Sequence, residues 1–285
     1  MIFGVTGASG QLGRATLDAL LDIVDGHEIV ALARDPSKLQ AYASRGVTVR
    51  AFDYDDGAAH QAALEGVTRL LLISSNALGR RTLQHAAVIG AARSAGVERL
   101  LYTSILRADE NPLSLALEHR ETEALIRSSG MDFALLRNGW YSENFNVVAR
   151  TAAAQGALLG SAGTGRFSTA SRIDYAEAAA RVLTGGAPPA QIYELAGDDA
   201  FTMAELAAYI GEISGSPVSY RDMSEEDYRK SLEDAGLPGP VATLLADNDA
   251  KAAGGALFSE DRTLFSVIGR PTTPWRESVR SALLS

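Results

Sequence analysis

Short apolar runs alternate with amphipathic segments along the first half of the chain. The apolar runs, each about five residues long, predict strands, and the segments between them have the apolar spacing of helices. Strands are predicted over residues 2–6, 28–33, 47–51, 68–73, 99–103 and 132–136. Helices are predicted between them over residues 11–23, 36–45, 57–64, 81–95 and 114–129. This alternation predicts a parallel sheet with helices on both faces, which is a doubly wound α/β fold.

The regular alternation ends near residue 145. Residues 156–165 contain four glycines and predict a loop and hairpin, while residues 192–195 predict one more strand. Helices are predicted over 174–183 and 225–235 and from Thr202, which has the spacing of a capping box with Glu205. We therefore predict a parallel-sheet domain over residues 1–152 and a smaller, irregular α/β C-terminal lobe over residues 153–285. Elements near residues 168–196 are expected to pack back onto the first domain.

Composition and charge narrow the classes of function. The 285 residues include no cysteine, which excludes disulfides and thiolate chemistry, and the four histidines are scattered, so no metal site is predicted. The net charge of −9 disfavours a nucleic-acid partner. No apolar run approaches the ~20 residues of a membrane span, and no leader sequence is recognised. We expect a cytoplasmic protein with no membrane partner, and we leave a homo-oligomer open.

A glycine-rich loop follows the first predicted strand. Residues 6–13 are Thr-Gly-Ala-Ser-Gly-Gln-Leu-Gly, so Gly7, Gly10 and Gly13 recur at every third position. In such a loop the first glycine permits a tight turn, the second lets the backbone approach a pyrophosphate, and the third allows close helix packing. The helix that follows presents free N–H groups to the phosphates. This context predicts a Rossmann-type dinucleotide site, the alternative being a tight turn without a ligand.

The end of the second predicted strand bears on the choice of dinucleotide. An acidic residue here binds the ribose 2′-hydroxyl of NAD, whereas an arginine accommodates the 2′-phosphate of NADP. Arg34 directly follows the strand, and we therefore predict NADPH in preference to NADH. Asp35 comes next and leaves a partial preference open. The alternative is an ordinary surface arginine.

The chain lacks the catalytic pair of the common short-chain dehydrogenases. Those enzymes carry Tyr-x-x-x-Lys on the helix after the fifth strand, and this chain has Leu115 and His119 at the two positions. An alcohol dehydrogenase needs a general acid at the carbonyl, so that reaction class is disfavoured. Two classes remain. Either the cofactor reduces an acceptor such as a quinone, whose reduced anion water can protonate, or the protein senses the cofactor without turnover.

Several segments together resemble one family. They are residues 6–13, 70–75 (Leu-Leu-Leu-Ile-Ser-Ser), 102–104 (Tyr-Thr-Ser), 118–123 (Glu-His-Arg-Glu-Thr-Glu), 136–144 (Leu-Arg-Asn-Gly-Trp-Tyr-Ser-Glu-Asn) and 268–273 (Ile-Gly-Arg-Pro-Thr-Thr). The chain resembles the NmrA-like branch of the atypical short-chain dehydrogenases, and within it the bacterial NAD(P)H:quinone oxidoreductases. The resemblance implies NADPH-dependent, two-electron quinone reduction without flavin or metal, in a cleft between two lobes. The alternatives are an NmrA-like redox sensor that binds NADP, or a reductase for another conjugated acceptor.

The resemblance also implies a set of binding residues. Its cofactor contacts fall on Gly7, Ala8, Ser9, Gly10, Gln11, Leu12, Arg34, Ser74, Ser75, Asn76, Asn138, Gly139, Trp140, Tyr141, Ser142, Glu143 and Thr169. These positions agree with the residues alone, since ligands of doubly wound sheets lie at the carboxyl ends of the strands.

Three aromatic residues and one histidine in these segments are candidates for substrate binding and catalysis. Trp140, Tyr141 and Phe145 are predicted to form a wall for the quinone ring, the alternative being packing between the lobes. His119 is the one candidate catalytic residue, as a ribose contact or a proton donor, the alternative being a half-exposed helix residue. The remaining histidines are expected to be structural or solvated. An ion pair between Arg172 and Asp174 is predicted at the lobe junction.

Overall fold

The computed structural model describes residues 1–285. Its strands are β1 (Phe3–Val5), β2 (Ile29–Ala33), β3 (Thr48–Ala51), β4 (Arg69–Leu72), β5 (Arg99–Ile105), β6 (Asp132–Asn138), β7 (Ala157–Gly160), β8 (Arg166–Phe167), β9 (Ile192–Leu195), β10 (Phe201–Thr202) and β11 (Ser219–Asp222). Its α-helices are α1 (Gln11–Leu21), α2 (Gln40–Ala43), α3 (Gly57–Ala63), α4 (Arg81–Ser94), α5 (Ala116–Ser128), α6 (Asn146–Gln155), α7 (Arg172–Thr184), α8 (Met203–Ser214), α9 (Glu225–Asp234), α10 (Gly239–Ala253), α11 (Thr263–Ile268) and α12 (Trp275–Leu284). Short 3₁₀ turns cover Gly26–Glu28, Pro36–Leu39 and Ser142–Phe145.

The central sheet has seven strands in the order β3-β2-β1-β4-β5-β6-β9. All neighbouring strands in it are parallel. The predicted doubly wound fold is therefore confirmed, and β9 extends the six strands of the first half. The strand order reverses between β1 and β4, where a crevice opens at the carboxyl ends of the strands. None of the helices combines the length and the apolar composition that crossing a membrane requires.

Alternating side chains of the sheet enter two separate cores. In β2, Ile29, Ala31 and Ala33 belong to a core of 29 buried residues beneath α1, α7 and α11. Val30 and Leu32 of the same strand belong to a core of 16 buried residues beneath α4 and α5. Because helices cover both faces, the carboxyl edge is where a ligand can approach the sheet.

A third core of 20 buried residues is built around Phe167, Phe201 and Trp275 of the C-terminal lobe, and residues 105–116 and 145–152 also contribute to it. The predicted hairpin over residues 156–165 is wrong. Within this stretch β7 pairs in parallel with β11, and β8, which follows it, pairs with β10. Leu158 of β7 is fully buried in the lobe core, a burial that a local surface hairpin would not give.

The lobe does not take up the whole second half of the chain. Core residues between 170 and 183 in the α7 region and Leu195 of β9 belong to the first core. Residues 264–268 of α11 join them there, which the sequence did not indicate. The domain boundary at residue 152 remains a prediction.

Candidate functional site

The loop after β1 is held in a shape that only glycines allow. Gly7 has a positive φ of +58°. A Cβ on Gly13 would lie 2.7 Å from the Cα of Ala8, so α1 packs directly on the backbone of the loop. These two positions agree with the roles predicted for the first and third glycines.

The N-terminus of α1 is open to a ligand. Gly10 is the N-cap, no side chain caps the helix, and the first turn contains no acidic residue. The N–H groups of Gln11, Leu12 and Gly13 donate to no acceptor within the protein. Unpaired helix N–H groups and the helix dipole together favour an anion, so the loop fits a pyrophosphate.

The end of β2 presents one free cation. Arg34 is exposed and makes no hydrogen bond or ion pair. Asp35, by contrast, accepts hydrogen bonds from the N–H and the hydroxyl of Ser37, and these bonds hold the pKa of Asp35 below its ordinary value. The carboxylate of Asp35 is therefore engaged in capping the 3₁₀ turn, while the guanidinium of Arg34 is available to a phosphate.

A cavity of about 260 Å³ lies at the carboxyl ends of β4, β5 and β6. Its lining residues are Ser74, Arg81, Thr103, Ser104, Ile105, Leu115, His119, Asn138, Gly139, Trp140, Tyr141, Asn144 and Arg172. Ile105, Leu115 and Trp140 supply apolar surface, whereas the other lining side chains are largely polar. One of them, Asn138, has a buried Oδ1 atom without a hydrogen-bond partner in the protein. The cavity thus combines a surface for a flat apolar ring with unsatisfied polar groups.

Tyr141 is partly covered by its neighbours. The guanidinium of Arg172 lies 4.9 Å from the centroid of the Tyr141 ring, and the Tyr175 ring meets it edge-on at 5.3 Å. Burial raises the pKa of Tyr141, which keeps its hydroxyl protonated. Trp140 packs against the lobe core on one side and lines the cavity on the other. Both rings are half-buried and both line the cavity, so each offers aromatic surface to a substrate.

His119 is buried at the polar side of the cavity and is only 5% exposed. Its Nδ1 lies 2.8 Å from the Tyr102 hydroxyl, and its Nε2 lies 3.4 Å from Nη1 of Arg81. Because arginine can only donate, Nε2 is the acceptor. Nδ1 therefore carries the proton and donates it to the hydroxyl oxygen of Tyr102. Burial and the nearby Arg81 charge hold the pKa of His119 well below its ordinary value. The expectation of a half-exposed histidine is therefore wrong, and the ring is neutral.

Similarity to known proteins identifies the family of this chain. A family model described as NAD(P)H-binding matches residues 7–185. The chain belongs to this NAD(P)H-binding family. It is 48% identical over 278 residues to quinone oxidoreductase 2 of Escherichia coli, covering 98% of this chain and 97% of that protein. It is 28% identical over 294 residues to an NmrA-like family domain-containing oxidoreductase of Aspergillus flavus, covering 100% of this chain and 95% of that one.

A solved structure is similar over the whole length. The crystal structure of the NADPH-dependent quinone oxidoreductase from E. coli complexed with NADPH has a TM-score of 0.96 to this chain, with 48% identity and 100% of both chains covered. The resemblance to NmrA-like quinone oxidoreductases stated from the motifs is thereby confirmed.

Within this NAD(P)H-binding fold, the predicted contacts separate into two groups. Ser74, Asn138, Gly139, Trp140 and Tyr141 all line the cavity. The other predicted contacts beyond the glycine loop and Arg34 do not line it. They are Ser75 and Asn76 after β4, Ser142 and Glu143 after β6, and Thr169 after β8. Their roles toward the cofactor remain predictions.

Several side chains of that second group are engaged within the protein. Ser75 donates its hydroxyl proton to Oε1 of Gln84, and Ser142 donates to the hydroxyl of Thr169. The carboxylate of Glu143 accepts from the backbone N–H of Arg172 at 3.0 Å. The contacts of Ser142 and Glu143 join the segment after β6 to the residues at the start of α7, and the contact of Ser75 joins the end of β4 to α4.

Two expectations about this region are wrong. Phe145 does not reach the cavity, because its ring is buried against Phe167 and Phe201 in the lobe core. Arg172 does not pair with Asp174 either. Arg172 lies 3.7 Å from Glu143, while Asp174 caps α7 and pairs with Arg270 at 2.8 Å. A capping carboxylate points back over the start of its own helix, away from Arg172.

Several residues that the structure brings to the cavity had no predicted role. Thr103 accepts a hydrogen bond from the N–H of Ser74, which ties the ends of β4 and β5 together. Ser104 lies one residue beyond the predicted end of its strand, because β5 continues to Ile105. Arg81 begins α4 and directly follows Arg80, another arginine. No local signal distinguishes these two arginines.

Proposed function

We propose that this protein is an NADPH-dependent quinone oxidoreductase, which transfers two electrons as a hydride from NADPH to a quinone without flavin or metal. The observation that carries the proposal is the cavity at the carboxyl edge of the sheet, with an apolar surface that includes Trp140, on the same edge as an open phosphate loop. The similarity to the E. coli quinone oxidoreductase over nearly the whole chain supports the same activity.

The residues of the chain have separable roles in this reaction. Bound NADPH supplies the hydride. The glycine loop and the N-terminus of α1 bind the pyrophosphate, and Arg34 binds the 2′-phosphate. Trp140 and Leu115 position the quinone ring, so the protein contributes mainly by approximation. His119 is neutral, and its one N–H donates to the hydroxyl oxygen of Tyr102. We therefore propose that the one proton needed besides the hydride comes from water.

The direct test is to mix the protein with NADPH and follow the nicotinamide absorbance after adding a small benzoquinone. We expect protein-dependent oxidation of NADPH with one equivalent of hydroquinone formed. A control reaction without quinone corrects for oxidation by oxygen. Tight NADPH binding without turnover over several benzoquinones and naphthoquinones would instead indicate a redox sensor.

The choice of cofactor predicts the effect of replacing Arg34. We expect Arg34→Ala to raise the KM for NADPH about tenfold, because one charge-assisted contact to the 2′-phosphate is lost. The KM for NADH should change less than about twofold, since NADH lacks that phosphate. Steady-state kinetics with both cofactors measure this difference. Equal changes for both cofactors would remove Arg34 from this role.

The protonation state of His119 predicts how the rate depends on pH. A group with a depressed pKa is protonated only at pH values well below its ordinary 6.5. We therefore expect the hydride-transfer rate, measured in a single turnover at saturating quinone, to be flat from about pH 6 to about pH 8. NADPH binding measured over the same range is the control. A rate that falls as the pH rises through about 6.5 would restore His119 as the proton donor.

Three further assignments complete the proposal. We place the chain among the atypical short-chain dehydrogenases, since Leu115 and His119 stand where the catalytic tyrosine and lysine would be. We also propose a cytoplasmic location, which cell fractionation tests, and we leave a homo-oligomer open to sedimentation analysis.

A further inference from the structure

We propose that Arg81 stabilises the negative charge that arrives on the quinone oxygen, and that His119 positions its guanidinium. This inference rests on the proposed function and assigns a catalytic residue to it. Arg81 is the first residue of α4, it is 5% exposed, and it lines the same cavity as Trp140.

The guanidinium of Arg81 is fixed on one side and free on the other. Its Nε donates to the backbone carbonyl of Ser75 at 2.6 Å, and its Nη1 faces Nε2 of His119 at 3.4 Å. Its remaining nitrogen, Nη2, has no hydrogen-bond partner in the protein and keeps accessible surface. An arginine held by two groups with one nitrogen left unpaired is prepared to bind an acceptor in the cavity.

The charge of Arg81 is weakly compensated. The only carboxylate within 4 Å is Glu118, 3.9 Å from Nη1, and the other oxygen of Glu118 already accepts from the N–H of Gly79. Arg137, the other buried arginine of this edge, has three carboxylates at 2.6 to 2.9 Å. Because a buried charge without a close counter-ion interacts strongly with an incoming anion, Arg81 favours negative charge in the cavity.

The lowered pKa values of the two buried histidines near Arg81 are consistent with a positive charge on Arg81. Burial first, and then the charge of Arg81, lowers the pKa of His119 and lowers the pKa of His85 to about 3. Both rings are therefore neutral, and neither adds a positive charge. The other arginine of the cavity, Arg172, lies 3.7 Å from Glu143 and over the ring of Tyr141. Each arginine of the cavity thus has one carboxylate between 3.7 and 3.9 Å away, and Arg81 is the more buried of the two, with 6% of its side chain exposed against 21% for Arg172.

The chemical step balances without a proton from the protein. A C–H bond of the reduced nicotinamide would break, and its hydride would form an O–H bond with one carbonyl oxygen of the quinone. The nicotinamide is thereby oxidised, and the displaced π electrons move through the ring onto the other carbonyl oxygen. The product is the hydroquinone monoanion, which takes one proton from water to complete the hydroquinone. Arg81 donates a hydrogen bond to the anionic oxygen and keeps its own proton, since a guanidinium does not ionise in proteins. Such a donor acts more strongly on the transition state than on the neutral quinone.

The first test replaces the charge. We expect Arg81→Gln to lower the single-turnover rate about 100-fold with methoxy-substituted benzoquinones, the loss typical of one oxyanion donor. The loss should fall below about tenfold with chloro-substituted benzoquinones, because their substituents already spread the negative charge. The Kd for NADPH should change less than about threefold. Arg80→Gln is the matched control: Arg80 is exposed and pairs with Asp55, so its loss should leave the rate unchanged.

The outcomes separate the possible roles of Arg81. A rate within twofold of wild type, or an equal loss for all quinones, would overturn the proposal, since a merely structural change does not depend on the substituent. A loss confined to NADPH affinity would overturn it too and would make Arg81 a cofactor contact. If the wild-type protein reduces no quinone at all, the proposed function fails and this inference fails with it. If only the proposed role of Arg81 is wrong, the wild-type protein still reduces quinones.

A second measurement needs no variant. A nitrophenol resembles the hydroquinone anion, and its ionisation is visible in its absorbance. When it is bound to the wild-type protein, we expect its pKa to be lowered by about one unit, because a cation within about 4 to 6 Å favours the phenolate. A bound nitrophenol whose pKa is unchanged or raised would contradict a cation at the oxygen position.

Discussion

Gly13→Ala is expected to weaken NADPH binding by about 100-fold or more, which is the scale of loss that a displacement of about 1 Å produces in a preorganised site. The added Cβ would lie 2.7 Å from the Cα of Ala8 and 2.9 Å from its carbonyl carbon. Those atoms are backbone, so the clash cannot be relieved by a side-chain rotation. Either α1 moves away from the loop or the loop moves toward the phosphates, and both changes spoil the alignment of the N–H groups. Calorimetric titration with NADPH measures the loss.

The chain offers a matched control for this substitution. Gly90 also lies inside a helix, α4, but a Cβ there would meet nothing within 4 Å. Gly90→Ala should leave NADPH binding unchanged and stabilise the protein by up to about 1 kcal/mol, because alanine favours the helix. If Gly13→Ala binds NADPH within threefold of wild type, the loop does not hold the pyrophosphate in the way described.

Arg137→Leu is expected to destabilise the fold by about 3–5 kcal/mol, since it leaves the buried carboxylate of Glu123 without its nearest counter-ion. The guanidinium lies 2.6 Å from Glu123, 2.9 Å from Glu194 and 2.8 Å from Asp109. Burial lowers the pKa of Arg137, but hydrogen bonds to these carboxylates outweigh it and hold the pKa above its ordinary value. Urea unfolding followed by circular dichroism measures the change in the free energy of unfolding.

Two further variants test whether the burial of Arg137 and Glu123 is the reason for the expected loss of stability. Arg127→Leu removes another partner of Glu123, but Arg127 is 41% exposed against 4% for Arg137, so the loss should stay below about 1 kcal/mol. Replacing Arg137 and Glu123 together by methionine removes both charges and should recover at least half of the loss. A loss below about 1 kcal/mol for Arg137→Leu would show that the network contributes little to folding. Because Ser104 donates to Glu123 at 2.6 Å, the network also fixes the floor of the cavity.

The parallel-sheet half of the fold was predictable from the sequence. Each of its strands is a short apolar run bounded by polar residues, and that signal is local. The glycine loop was predictable for a similar reason, since its strand, turn and helix are adjacent in the sequence. The pairing of β7 with β11 was not, because it joins residues 157–160 to residues 219–222. Neither short segment contains information about the other.

The polar side of the cavity was only partly predictable. The burial of His119 has a signal that the charged neighbours obscured: Ala116, His119 and Ile126 recur at helical spacing and all face inward. Arg80 and Arg81 are adjacent, yet one is 66% exposed and the other is buried. Which of the two points inward depends on the rotation of α4 over the sheet. That rotation is a tertiary property that two like residues in sequence do not encode.

The chain passes several times between the sheet half and the lobe. This path limits how far an exchange of the lobe between related proteins could change the acceptor that is reduced. The lobe core takes residues from 105–116, 145–167, 201–257 and 275–279, while core residues between 170 and 195 and over 264–268 belong to the sheet half. A chimera that exchanged the lobe would therefore need separate grafts at matched junctions, each joined to a foreign neighbour. Diversity of acceptors on this scaffold is more readily reached by point substitutions at positions such as Leu115 and Trp140, which alter the cavity and leave every junction intact.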